Sequence, residues 1–132
     1  MAERPRRKAQ SVDALKNAGA QDPFVCSVVA RLFAAERRPD KARAWFLRAT
    51  AADPDCGDAW AWWLRFESNV NDDNEEDKKS RIEKLVAACT KAAPRHGQVW
   101  PAIAKNPDNY GLSTSQILHL VAEALALTRQ LS

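Results

Sequence analysis

Pro54 and Trp60 stand six residues apart, and Pro94 and Trp100 repeat that spacing forty residues later. Pro23 lies thirty-one residues before Pro54. A recurrence of this length, with two helical patterns inside each period, predicts an α-solenoid. One helical hairpin cannot bury its own apolar face and needs a copy on either side. The expected fold is therefore all-α, a right-handed α-α superhelix of stacked hairpins. Only 4 glycines occur in 132 residues and alanine is abundant, which suits helices and disfavours an all-β design.

The best-defined stretch runs from Asp40 to Glu67. Ala42, Phe46 and Ala49 recur at i, i+4 and i+7 and line one helix face. Pro54 ends that helix, Gly57 loosens the turn, and Asp58 is the expected N-cap of a helix carrying Trp60, Trp63 and Phe66. Before it, Asp22-Pro23 opens a first hairpin with a stripe of Val25, Val28, Val29, Leu32 and Phe33. Its turn is Glu36 to Asp40 and its return helix Lys41 to Ala52. A second hairpin pairs Gly57–Val70 with roughly Glu75–Ala92, whose inward face is Ile82, Leu85, Val86 and Cys89. A third unit begins near Pro94, with a short helix at Trp100 and Ile103, a turn-rich connection over 106–113, and a last helix from Gln116 to Leu131 capped by Ser113 or Ser115. That helix is apolar around most of its girth, so either two neighbours grip it or it awaits a partner.

These patterns divide the chain into a flexible basic arm, 1–10, and one repeat domain, 11–132. Within the domain, 11–20 is a remnant helix, 22–52 and 57–92 are repeats, and 96–131 is a terminal partial repeat with a capping helix. The arm carries Arg4, Arg6, Arg7 and Lys8, a nuclear-import or phosphate-binding signal or simply a solvated flank.

Charge is unevenly spread. Residues 1–50 hold eleven Lys/Arg against five Asp/Glu, residues 51–90 five against ten, and residues 91–132 four against two, for the net +3. The acidic segment Asn69–Lys79 lacks the central glycine and closing glutamate of a calcium loop and reads as a solvated loop, with docking of a basic partner as the alternative. No apolar run approaches the length of a membrane span. Cys26, Cys56 and Cys89, odd in number and widely spaced, suit a reducing compartment and small-residue packing, not a local metal site.

The spacing Ala42-x3-Phe46-x2-Ala49-x4-Pro54 fits the tetratricopeptide pattern, and Val29, Ala30 and Phe33 fit its first helix. Ala42-Arg43-x-x-Phe46-x-Arg48-Ala49, Pro54 and Trp60-x-x-Trp63-x-x-Phe66-Glu67 together resemble the half-a-tetratricopeptide (HAT) repeat, found largely in RNA-processing proteins. Longer strings, Lys41–Arg48, Gly57–Trp63 and Ala93–Trp100, with Ser11–Leu15 and the tail from Ile117, are similar to the C-terminal end of the pre-mRNA-processing factor 6 family. The resemblance covers about residues 11 to 128. It implies a nuclear, non-catalytic scaffold in pre-mRNA splicing, with U4/U6.U5 tri-snRNP proteins as partners and no cofactor. Members of that family are far longer.

Catalysis is disfavoured by missing constellations. His96 and His119 are the only histidines and neither neighbours a nucleophile pattern. Glu67 is expected to tie helices together through Arg43 or Arg48. Ala42, Arg43, Trp45, Phe46, Arg48, Ala49, Pro54, Trp60, Trp63, Phe66, Glu67, Pro94 and Trp100 are assigned to repeat packing. Partner contact is assigned to Trp62, Arg37, Arg38, Lys41, His96 and Leu118, with Trp62 lying off the packed aromatic face. Basic residues including Arg31 and Arg48 cluster on the first hairpin. They lack the aromatic interleaving of a single-strand platform, so protein contact ranks above RNA. Two rival readings are an RNA-binding module and a generic tetratricopeptide adaptor gripping a peptide. No membrane and no small-molecule substrate is expected.

Overall fold

The computed structural model describes residues 22–70 and 74–131. The expected basic arm, the remnant helix and residues 71–73 of the acidic segment lie outside the described residues. The rest is all-α: α1 (Pro23–Ala35), α2 (Pro39–Ala52), α3 (Gly57–Asn69), α4 (Glu75–Ala92), α5 (Trp100–Ala104), a 3-10 turn at Pro107–Asn109, and α6 (Thr114–Leu131).

Local chemistry sets most of the ends. The Asp22 carboxylate accepts the Phe24 amide at 2.8 Å, and Pro23 fills a first-turn position whose N–H would find no helical partner. Asn74 caps α4 by accepting the amides of Glu76 and Asp77. Glu75, Glu76 and Asp77 then sit where the helix dipole favours anions. Ser113 and Gln116 form a reciprocal capping box at the start of α6: the Gln116 amide donates to Ser113 Oγ and the Ser113 amide to Gln116 Oε1. This starts α6 at Thr114, two residues ahead of the periodicity reading. Arg37, at φ 60°, makes the left-handed residue of the α1–α2 turn without a glycine.

α1 and α2 form the most extensively packed pair, and α3 rests on both. On its other side α3 packs against α4 and α6, with α5 against α6. Ala42, Phe46 and Ala49 are fully buried, as their spacing predicted. The α1 stripe is rotated from expectation: Cys26, Ser27, Val29, Ala30 and Phe33 face inward. Val25 and Val28 are half-buried, and Leu32 is exposed. Small side chains on this face let α2 approach closely, and that requirement outweighs raw hydrophobicity.

The core has two lobes, one between α1, α2 and the start of α3, the other between α3, α4, α5 and α6. Trp62 and Trp63 pack against both and join them. The last helix is gripped by neighbours: Ile117, Leu118, Val121 and Leu125 are buried. Leu118, assigned to partner contact from sequence, is thus corrected. It is wholly enclosed in the second lobe and unavailable to a partner.

Candidate docking surface

The forty-residue recurrence is a physical pairing. The loop before α3 and the loop before α5 lie side by side, bridged in parallel at Cys56 and His96. The amides of Arg95 and His96 donate to the Asp55 carbonyl at 3.0 and 2.8 Å, and the Gly57 amide donates to the His96 carbonyl at 2.8 Å. Asp58 does not cap its own helix through its side chain, as the sequence suggested. Its carboxylate reaches across to accept the amides of Gln98, Val99 and Trp100 at 2.9, 2.9 and 2.8 Å. Those donors open α5 and would otherwise lack partners.

Two glycines permit this approach. A Cβ on Gly57 would lie 2.1 Å from Cδ2 of Trp100, and one on Gly97 would lie 2.5 Å from Asp58 Oδ1. Gly57 therefore makes room for an indole instead of loosening a turn. Gly97 also holds φ 136°, a conformation that favours glycine. Trp60 Nε1 donates to the Pro54 carbonyl at 2.9 Å, which accounts for the six-residue spacing in the first copy. Pro94 is buried, whereas the ring of Pro54 is exposed.

A second clasp joins the two hairpins. Glu67 is buried on α3, and Arg43 of α2 donates to it with Nε at 3.0 Å and Nη2 at 3.2 Å. Arg81 of α4 donates through Nε at 3.3 Å, and Trp63 through Nε1 at 3.2 Å. Both carboxylate oxygens are engaged from three helices, the arrangement in which a buried charge is tolerated. Arg43 is the partner foreseen. Arg48 is not: its guanidinium lies 4.8 Å over the Trp45 ring. Arg81 went unforeseen, because the acidic segment separates it from any recognisable pattern. An aromatic ladder backs the clasp, with Trp60 on Trp63 at 6.1 Å, Trp63 on Phe46 at 6.2 Å and Phe46 on Phe66 at 5.6 Å.

Beside this clasp a groove of about 620 Å³ opens between α1, the α1–α2 turn and the end of α3. It is lined by Arg31, Ala34, Ala35, Arg37, Pro39, Phe46, Trp62, Arg65, Phe66, Asn69 and Val70. The Arg31 guanidinium sits 4.0 Å over Trp62, so that tryptophan is half-buried under a cation and not freely exposed. Bases and aromatics therefore interleave in space although not along the sequence: Lys41 lies over Phe33 and Arg43 over Phe66 as well. Arg37 lines the groove, while Arg38 and Lys41, exposed on the α1–α2 turn and the first turn of α2, are not among its lining residues. His96 is exposed on the paired loops, 3.6 Å from the Asp55 carboxylate. Sequence reasoning missed Arg65, whose signal was its place one helical turn after Trp62.

Among the described residues, no group of three or more His, Cys, Asp or Glu is placed to hold a metal, and no helix is long and apolar enough to cross a membrane. Burial raises all three thiol pKa values above the ordinary 9.0, that of Cys89 to about 12.

No family model matches the chain. Curated relatives do. The chain is 42% identical over 125 residues to Protein STABILIZED1 of Arabidopsis thaliana and 41% identical over 119 residues to Pre-mRNA-processing factor 6 of Homo sapiens. It is 34% identical over 120 residues to Pre-mRNA-splicing factor prp1 of Schizosaccharomyces pombe. These matches take in 95%, 90% and 91% of this chain and 12% of each relative. The described fold is an all-α stack of helical hairpins in keeping with a HAT or tetratricopeptide-like solenoid. The chain is homologous to one segment of pre-mRNA-processing factor 6 and its relatives, and spans about an eighth of their length.

Proposed function

We propose that this chain is a non-catalytic scaffold in pre-mRNA splicing, presenting a fixed surface to proteins of the U4/U6.U5 tri-snRNP in the nucleus. The observation that carries the reading is the paired-loop junction. Asp58 and its three amide partners, with Trp100 seated on Gly57, lock one repeat to the next. A stack held this way offers its exposed groups already in position, which reduces the ordering cost of docking. Relatives named for pre-mRNA processing and splicing, matched over nine-tenths of the chain, support the biological setting.

Protein contact at the groove is favoured over RNA because the aromatic rings lining it are covered by cations or buried. Arg31 covers Trp62, and Phe46 is fully buried beneath its neighbours. Capture from nuclear extract with the tagged chain, with and without ribonuclease, tests the proposal. Tri-snRNP proteins retained after ribonuclease treatment are the expected result. Capture that disappears with the RNA would replace the scaffold reading by direct RNA binding.

A further inference from the structure

We infer that the groove between α1 and the end of α3 receives an acidic peptide segment of a protein partner, with apolar side chains set between its carboxylates. This rests on the scaffold reading and names the chemistry of what docks. Three arginines, Arg31, Arg37 and Arg65, line one concave surface; Arg31 is engaged, with its Nε donating to the Ser27 carbonyl and its guanidinium over Trp62, and among the described residues no carboxylate lines the groove. Elsewhere among the described residues the structure neutralises inward-reaching arginines: Arg43 and Arg81 both meet Glu67. In the groove Arg65 Nε is buried with no hydrogen-bond partner. The half-buried Arg65 guanidinium thus has spare donor capacity on the groove wall, and a carboxylate is the acceptor whose fork matches a guanidinium.

The walls select what carries those carboxylates. Ala34, Pro39, Phe66 and Val70 give apolar contact between the charges, which suits aliphatic or aromatic side chains in the same segment. Single-stranded RNA would satisfy the guanidiniums through phosphate, but it needs open ring faces for its bases, and Trp62 already carries Arg31 at 4.0 Å. Charge complementarity together with apolar walls therefore points to an acidic, apolar-studded peptide.

The test uses the whole chain and three fluorescent probes in an anisotropy titration at fixed salt: a twelve-residue peptide alternating Asp/Glu with Leu and Phe, the same peptide with Lys at every acidic position, and a twelve-nucleotide oligouridine. The acidic peptide is expected to bind at least about tenfold tighter than either of the others. Arg65→Gln and the exposed-turn variant Arg37→Gln should each weaken it by about tenfold, the scale of one lost charge-assisted hydrogen bond, with urea melts confirming that the variants fold. Equal binding of acidic and basic peptides overturns the inference. So does tighter oligouridine binding, or acidic-peptide affinity indifferent to Arg37→Gln. In the nuclear-extract capture, Arg37→Gln retaining every splicing protein that the wild-type chain retains sinks the groove and leaves the scaffold standing; a wild-type chain that retains none sinks the scaffold, while the peptide titration still judges the groove.

Discussion

The carboxylate of Asp58 accepts the backbone N–H of Trp100 at 2.8 Å, across forty-two positions of chain. With the amides of Gln98 and Val99 on its second oxygen, Asp58 supplies the cap that Val99 cannot give α5. One side chain thus begins a helix in the following repeat. Replacing Asp58 by alanine leaves three amides without acceptors and is expected to cost about 2–4 kcal/mol. Asp58→Asn, which keeps one acceptor oxygen, should cost less. Urea unfolding followed by tryptophan fluorescence measures both.

Gly57 is the steric counterpart. A methyl group there would have to displace the Trp100 ring, which is only 3% exposed. Gly57→Ala is expected to destabilise by about 1–3 kcal/mol through overpacking, against a small gain in helix propensity. A Gly57→Ala chain as stable as wild type would show that the indole yields freely. The same melts decide this.

Glu67 is the most consequential buried charge. Removing it takes from Arg43 and Arg81 their shared buried acceptor, and Glu67→Ala is expected to lower stability by about 3–5 kcal/mol. Replacing Arg81 alone should cost less, since Arg43 keeps the forked contact with both oxygens. A double-mutant cycle between Glu67 and Arg81 should return a coupling of at least about 1 kcal/mol, and additivity would contradict the clasp.

Cys89 links the core to pH. Burial alone lifts its thiol from the ordinary 9.0 to about 12. Between those values the unfolded chain releases a proton that the folded chain keeps, so the unfolded state gains as pH rises. Stability is therefore expected to be level with respect to this thiol below about pH 9 and to fall from there toward about pH 12, and Cys89→Ser should flatten that fall. At neutral pH a thiol reagent should label half-buried Cys56 first and reach Cys26 and Cys89 only on unfolding.

Much of this fold is written locally. The 3.6-residue recurrence of Ala42, Phe46 and Ala49, the Asp22-Pro23 start and the Ser113–Gln116 box each reflect chemistry within one or two turns, and sequence patterns capture such chemistry. The forty-residue recurrence was legible as a repeat but not as a pairing. Nothing local says that the second copy lies against the first, so Asp58 read as a cap of its own helix and Gly57 as a turn residue. The groove was hidden for a related reason. Arg31 and Arg65 are thirty-four residues apart and meet only after α3 packs beside α1. Leu118 shows the opposite failure: an apolar girth cannot tell gripping neighbours from an absent partner, and α3, α4 and α5 fill that role.

The central claim is that the locked stack serves as a protein-docking element of a splicing particle. Its most direct test is glycerol-gradient sedimentation of nuclear extract from cells expressing the tagged chain, with tri-snRNP RNAs and proteins followed across the fractions. The chain is predicted to co-sediment with the tri-snRNP peak and to shift to lighter fractions when excess acidic peptide occupies its groove. A chain confined to the light fractions, while the particle sediments intact without it, would contradict the account.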